Sequence, residues 1–110
     1  MSYPPAFALT VAVEVPVYVA AITVASPARF RRTAAAAFMV NCVTHPLLWW
    51  FLRHVPDHAY WTAFAVAESA VCVVEGALMA RVLRLRGTVP YAASVVANTA
   101  SLLAGLLLLG

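Results

Sequence analysis

The sequence has no lysine, four acidic residues and two cysteines among its 110 residues. Only 10% of its residues are charged, against roughly a quarter in a soluble domain. Each scarcity excludes something. Without lysine no Schiff base to retinal forms. His45 is the one histidine within an apolar run, so a single copy cannot supply two histidines to a buried haem. Neither G-x-x-x-x-G-K-[ST] nor G-x-G-x-x-G occurs, so nucleotide binding has no support. Cys42 and Cys72 belong to no C-x-x-C motif, and both read as small packing residues rather than a disulfide.

What is abundant is apolar surface: 65% of the residues are hydrophobic. That excludes a soluble globular protein, a disordered tail and a nucleic-acid binder. The net charge of +3 implies no nucleic acid as partner, because a chain this apolar meets the lipid bilayer first. The length corresponds to about one domain, residues 1–110.

Four apolar runs divide the chain, at about 6–25, 33–52, 60–80 and 88–109. Each holds roughly 20 residues, enough to cross a ~30 Å hydrocarbon core as a helix and too long and unalternating for barrel strands. Ser26 to Arg32, Arg53 to Ala59 and Arg81 to Gly87 connect them. Connectors that short join antiparallel neighbours. The expectation is an all-α membrane protein, a single domain of four transmembrane helices in an up-down-up-down bundle. The first run is not expected to be a cleaved signal peptide, since no positive charge precedes it and Glu14 and Pro16 interrupt it.

Arginine sets the expected orientation. Arg29, Arg31 and Arg32 lie in the first connector and Arg81, Arg84 and Arg86 in the third, whereas Arg53 of the second is offset by Asp57. Positive loops stay in the cytoplasm, which places both termini and the middle connector on the outer side of a multi-pass protein. Trp49, Trp50, Tyr60 and Trp61 then fall at the outer interface, where aromatic side chains collect.

Within the runs the polar residues fall at helical spacing. Glu14 and Tyr18 are four apart, as are Asn41 and His45. Glu68, Cys72 and Glu75 follow i, i+4, i+7, and so do Ser94, Asn98 and Ser101. Residues so spaced share a helix face, so each helix carries one polar stripe and the four stripes turn inward. At 1.5 Å per residue, Glu14, Glu68 and Ser101 lie about 12 Å below the outer surface and His45 about 10 Å. Asn41 and Asn98 form a layer near about 16 Å, with Glu75 deepest at about 22 Å. Asn and Ser commonly tie membrane helices together. Carboxylates cost about 2.5 to 3.5 kcal/mol each at mid-membrane, and structure alone rarely needs three. Pro16 frees the carbonyl of Ala12 and Pro46 that of Cys42, beside Glu14 and His45 respectively. His54, Asp57 and His58 in the second connector read as a solvated loop, because Pro56 interrupts them.

Three functions fit this pattern. The first is a small transporter or channel with a proton or cation site of Glu14, His45 and Glu68, continued by Asn41, Asn98, Ser101 and Tyr18 to Glu75, in a homo-oligomer. The second is an accessory subunit of a larger membrane complex. The third is an intramembrane enzyme acting on a lipid or isoprenoid, with the carboxyl groups as acid and base. The balance favours a non-enzyme, and no catalytic residue is assigned. No cofactor is evident, although Glu14, His45 and Glu68 are a plausible ligand set for a divalent metal.

In length, in its four spans and in the dipeptide Glu14-Val15, the chain resembles the small multidrug resistance transporters. It departs from them at Glu68 and Glu75, where that family's third helix carries a functional tryptophan and a glycine-rich face. It also lacks the family's first-helix lysine and has a strong arginine bias. The likeness is convergence on size and implies no membership.

Overall fold

The computed structural model describes residues 3–26 and 28–108. Four helices account for nearly all of them: α1 Tyr3–Ala25, α2 Phe30–Arg53, α3 Tyr60–Leu83 and α4 Val89–Leu108. All four are long and apolar enough to cross a membrane. The bundle is 44 Å along its longest axis, against a hydrocarbon core of about 30 Å. Helix bounds follow local chemistry. Pro5 and Pro90 sit in first turns, where a missing N–H costs nothing. α2 ends at His54, two residues before Pro56, and a 3-10 turn over Asp57–Ala59 leads into α3. α3 ends on Arg84 in the left-handed region at φ 55°, and the Leu85 N–H reaches the Ala80 carbonyl at 2.8 Å. Pro16 and Pro46 lie inside helices that continue through them.

Each helix packs on its neighbours in the chain, and α1 closes the ring on α4. The polar pattern is inverted relative to a soluble bundle. Val24, Phe30, Met39, Leu47, Val66 and Leu107 are exposed, whereas Glu14, Thr33, Asn41, Thr44, Glu75, Ser94 and Asn98 are buried. An apolar exterior suits a lipid solvent, and Glu75, Thr44, Ser94 and Asn98, withdrawn into the interior, find hydrogen-bond partners there.

The interior is unevenly filled. Tyr18, Ile22, Ala36, Ala37, Val40, Met79, Ala93 and Ala97 form one packed cluster in the half nearest the arginine-rich connectors. Ala93 and Ala97 are the first steps of a four-residue ridge that continues through Ser101 to Gly105. Both alanines are buried within the bundle, so this half of the ridge serves packing inside the chain. The other half, around the Arg53-to-Ala59 connector, encloses a cavity.

One glycine fixes how closely α3 and α4 approach. A Cβ at Gly76 would lie 2.6 Å from Tyr91 Cδ1 and 3.1 Å from Tyr91 Cα. The backbone atom cannot swing aside, so a larger residue pushes the helices apart beside Glu75. Gly76→Val is expected to destabilise the detergent-solubilised protein by about 1–3 kcal/mol, as overpacking does. Gly105→Ala, where a Cβ meets nothing within 4 Å, is expected to be neutral or slightly stabilising. Thermal unfolding followed by circular dichroism checks both.

Candidate functional site

Glu75 is the point at which all four helices meet. It projects from α3 and is 1% exposed. The Tyr18 hydroxyl of α1 donates to its Oε1 at 2.7 Å, and Asn98 Nδ2 of α4 donates to the same oxygen at 3.1 Å. The Thr44 hydroxyl of α2 donates to Oε2 at 2.6 Å. Thr44 Oγ1 also lies 3.1 Å from the Val40 carbonyl, so its single proton has a second acceptor within reach. Asn98 is oriented by the Ser94 carbonyl at 2.9 Å, and the Ser94 hydroxyl in turn donates to the Cys72 carbonyl of α3 at 2.8 Å. A carboxylate accepts up to four such bonds, and three neutral donors disperse its charge without cancelling it.

Glu14 is equally withdrawn, at 2% exposure, and quite differently supplied. The Ser101 hydroxyl of α4 donates to its Oε2, whereas Oε1 is buried with no hydrogen-bond partner among the described residues. The carboxyl group interacts electrostatically with Glu75 on one side and Glu68 on the other. Glu68 also interacts with Glu75, so the three glutamates form one electrostatic cluster in the bundle interior.

Glu68 stands at the cavity. This space of about 400 Å³ draws its wall from every helix: Ala6, Leu9 and Thr10 of α1, His45, Leu48, Trp49, Leu52 and Arg53 of α2, Tyr60, Trp61, Phe64 and Glu68 of α3, and Ser101, Leu102, Gly105 and Leu106 of α4. Its surface is mainly apolar and aromatic. The polar groups are few: Glu68, His45, Thr10 and Ser101 in the depth, Arg53 near the connector. His45 Nε2 lies 3.3 Å from Thr10 Oγ1, and its ring packs at a tilt against Phe7. Glu68 is half-buried and, among the described residues, makes no hydrogen bond. Ser101 joins the cavity to the glutamate cluster, since it lines the first and holds Glu14 of the second.

The arrangement groups the expected residues in two sets. Glu68, His45 and Ser101 line the cavity, with Glu14 just behind Ser101. Tyr18, Asn98 and Glu75 form the deeper set. Asn41 belongs to neither, because its Nδ2 donates to the Ala37 carbonyl of its own helix at 2.9 Å. Among the described residues no group of three or more His, Cys, Asp or Glu side chains is gathered so that it could hold a metal ion, and Glu14, His45 and Glu68 do not form one. His54 caps α2, with Nδ1 2.8 Å from the Trp50 carbonyl. Both cysteines are free, Cys42 being exposed on the apolar exterior. Thr44 and Thr10 are the site residues that the stripe pattern passed over. Thr44 lies at i+3 from Asn41, on the same helix face, which is the signal that marks it.

No family model, curated protein or solved structure matches this chain, so its own geometry carries the functional argument.

The Glu75 network makes a stereochemical prediction. In Glu75→Gln the amide oxygen keeps the Tyr18 and Asn98 bonds. The amide nitrogen then faces Thr44, whose hydroxyl turns to donate to Val40 and accepts instead. The variant is expected to fold with a stability change below about 1.5 kcal/mol. Glu75→Leu strands two buried donors, the Tyr18 hydroxyl and one Asn98 N–H, at about 1–3 kcal/mol each, while Thr44 falls back on Val40, and is expected to unfold or aggregate on extraction. Size-exclusion profiles and unfolding midpoints in one detergent separate the two outcomes.

Proposed function

We propose that this chain is a small multi-pass membrane transporter that couples proton movement through Glu14 and Glu75 to movement of a cation through the cavity at Glu68 and His45. The observation that supports this best is the Glu14 carboxyl: nearly fully buried, with one oxygen that no donor reaches among the described residues, within hydrogen-bonding reach of the second buried carboxyl group, and linked through Ser101 to the cavity. Holding two adjacent anions away from water is expensive when neither has a cationic partner. In the proposed cycle the pair carries one proton between them. Ser101 passes a proton from the cavity side, since a hydroxyl both donates and accepts.

A space confined to one half of the bundle favours a transporter over an open channel. The cavity lies in the half next to the Arg53-to-Ala59 connector, and the packed cluster of Tyr18, Ile22, Met79 and the buried alanines fills the opposite half. In the proposed arrangement the helices run up-down-up-down, with both termini and the cavity on the outer side and the six connector arginines in the cytoplasm. A four-helix protomer is small for a complete pathway, so the working unit is a homo-oligomer. The accessory-subunit reading keeps one specific support, the Glu75 network itself, which also ties four helices together without any transport.

Two experiments test this. In vesicles reconstituted with the protein, an imposed cation gradient is expected to drive proton movement, and Glu14→Gln is expected to reduce it to the level of empty vesicles while the protein folds normally. Wild-type protein that moves no proton with any cation, or a Glu14→Gln variant with full flux, overturns the transporter reading. For orientation, in a background with Cys42 and Cys72 replaced by Ala, the exposed positions His58 and Thr88 serve as reporters. His58→Cys is expected to react with an impermeant thiol reagent outside intact cells, and Thr88→Cys only after permeabilisation. The reverse pattern contradicts the proposed topology.

A further inference from the structure

A second depression, of about 340 Å³, lies on the outer face of the bundle between α2 and α3. Its lining is apolar, with Leu47 and Phe51 on one bank and Val66, Ala67 and Val74 on the other, and Thr44 as its polar contact. Two details connect it with the inner cavity. Leu48 lines both spaces. On α3, Ala67 lines the outer groove and the next residue, Glu68, lines the cavity. At the level of Glu68 the wall between bilayer and cavity is thus about one side chain thick.

The contents of each space follow from its chemistry. The groove is flanked by Leu47, Phe51, Val66 and Val74, all exposed on the apolar exterior, so in a bilayer it fills with a hydrocarbon chain. The cavity presents Glu68, whose carboxyl group makes no hydrogen bond among the described residues, with Tyr60, Trp61 and Phe64 in the same wall. A carboxylate at membrane depth is stabilised by a cation, and aromatic faces add to that attraction. Arg53 lines the far end, eight residues or about 12 Å along α2 from His45, and disfavours entry of a cation through that mouth.

We propose that the α2–α3 seam at Leu48 is a lateral entrance for a single-chain cationic amphiphile, whose tail lies in the outer groove while its ammonium head reaches Glu68. This names the cargo class of the transporter reading and rests on it. In the proposed entrance Leu48 is the side chain that moves, because it lines both spaces.

The test uses the full chain in reconstituted bilayers and two photoreactive probes with the same diazirine-bearing alkyl tail, one with a trimethylammonium head and one with a sulfate head. After irradiation, peptide mass spectrometry locates the attachment. The cationic probe is expected to attach to the segments 47–51 and 66–74 about tenfold more than the anionic one, equivalent to about 1.4 kcal/mol. Glu68→Gln is expected to erase that preference while leaving labelling by the anionic probe unchanged, which also reports that the variant is folded. Leu48→Trp, which blocks the seam and leaves Glu68 in place, is expected to erase it as well. Equal labelling by both heads in the wild type, or a preference that survives either substitution, overturns the proposal. Head-selective labelling without any flux supports the entrance and removes the transport reading. Flux without head selectivity does the reverse.

Discussion

Everything in this bundle is arranged around one acceptor. Glu75 receives hydrogen bonds from Tyr18, Thr44 and Asn98, one from each of the other three helices. In lipid the hydrophobic effect gives no reason for one apolar helix to prefer another, so packing of small residues and interhelical hydrogen bonds decide the association. Both are concentrated at this level. Gly76, the next residue, lets α4 approach to contact, and Ala93 and Ala97 on α4 are buried in the same half. The close approach brings Asn98 within reach of Glu75, and the acceptor in turn holds the helices at that distance.

The same constraint divides the interior into a sealed half and an accessible half. Toward the arginine-rich connectors, Tyr18, Ile22 and Met79 are fully buried in the packed cluster. Toward the other end the wall is aromatic and encloses the cavity at Glu68, His45 and Ser101. Glu14 lies between the two, with Ser101 as its one donor among the described residues. A carboxyl group with three donors is held in place, whereas one that receives a single donor among the described residues is held less firmly. The proposed transport reading assigns the first role to Glu75 and the second to Glu14.

Much of the fold was legible because lipid imposes simple rules. Run length gave four helices whose described bounds lie within a few residues of the apolar runs: Tyr3, Phe30, Arg53 and Leu83 extend the hydrogen-bonded ladder of the first three beyond the hydrocarbon-compatible core, and α4, Val89–Leu108, falls within its run. Helical spacing also put Glu14, Glu75, Ser94, Asn98 and Tyr18 on inward faces, where they are found. Which of these residues meet was not legible. Straight-helix depths put Glu14 and Glu68 in one layer and Glu75 about 10 Å deeper. Glu14 nonetheless interacts with both, because long side chains on different helices reach along the axis as well as across it. Thr44 was passed over because a threonine in a membrane helix commonly satisfies itself on its own backbone, and Val40 offers that alternative here. Asn41 shows the opposite, a residue of interhelical type whose amide bonds to its own helix.

The proposed cycle requires Glu14 and Glu75 to carry one proton between them. Infrared difference spectroscopy of the reconstituted protein near neutral pH measures that directly, through the carbonyl stretch of a protonated carboxyl group. The account predicts such a band in the wild type, shifted in heavy water because the cavity and Ser101 give exchange access, and absent in Glu14→Gln. A spectrum with ionised carboxylates alone, or a protonated band that Glu14→Gln leaves unchanged, would contradict it.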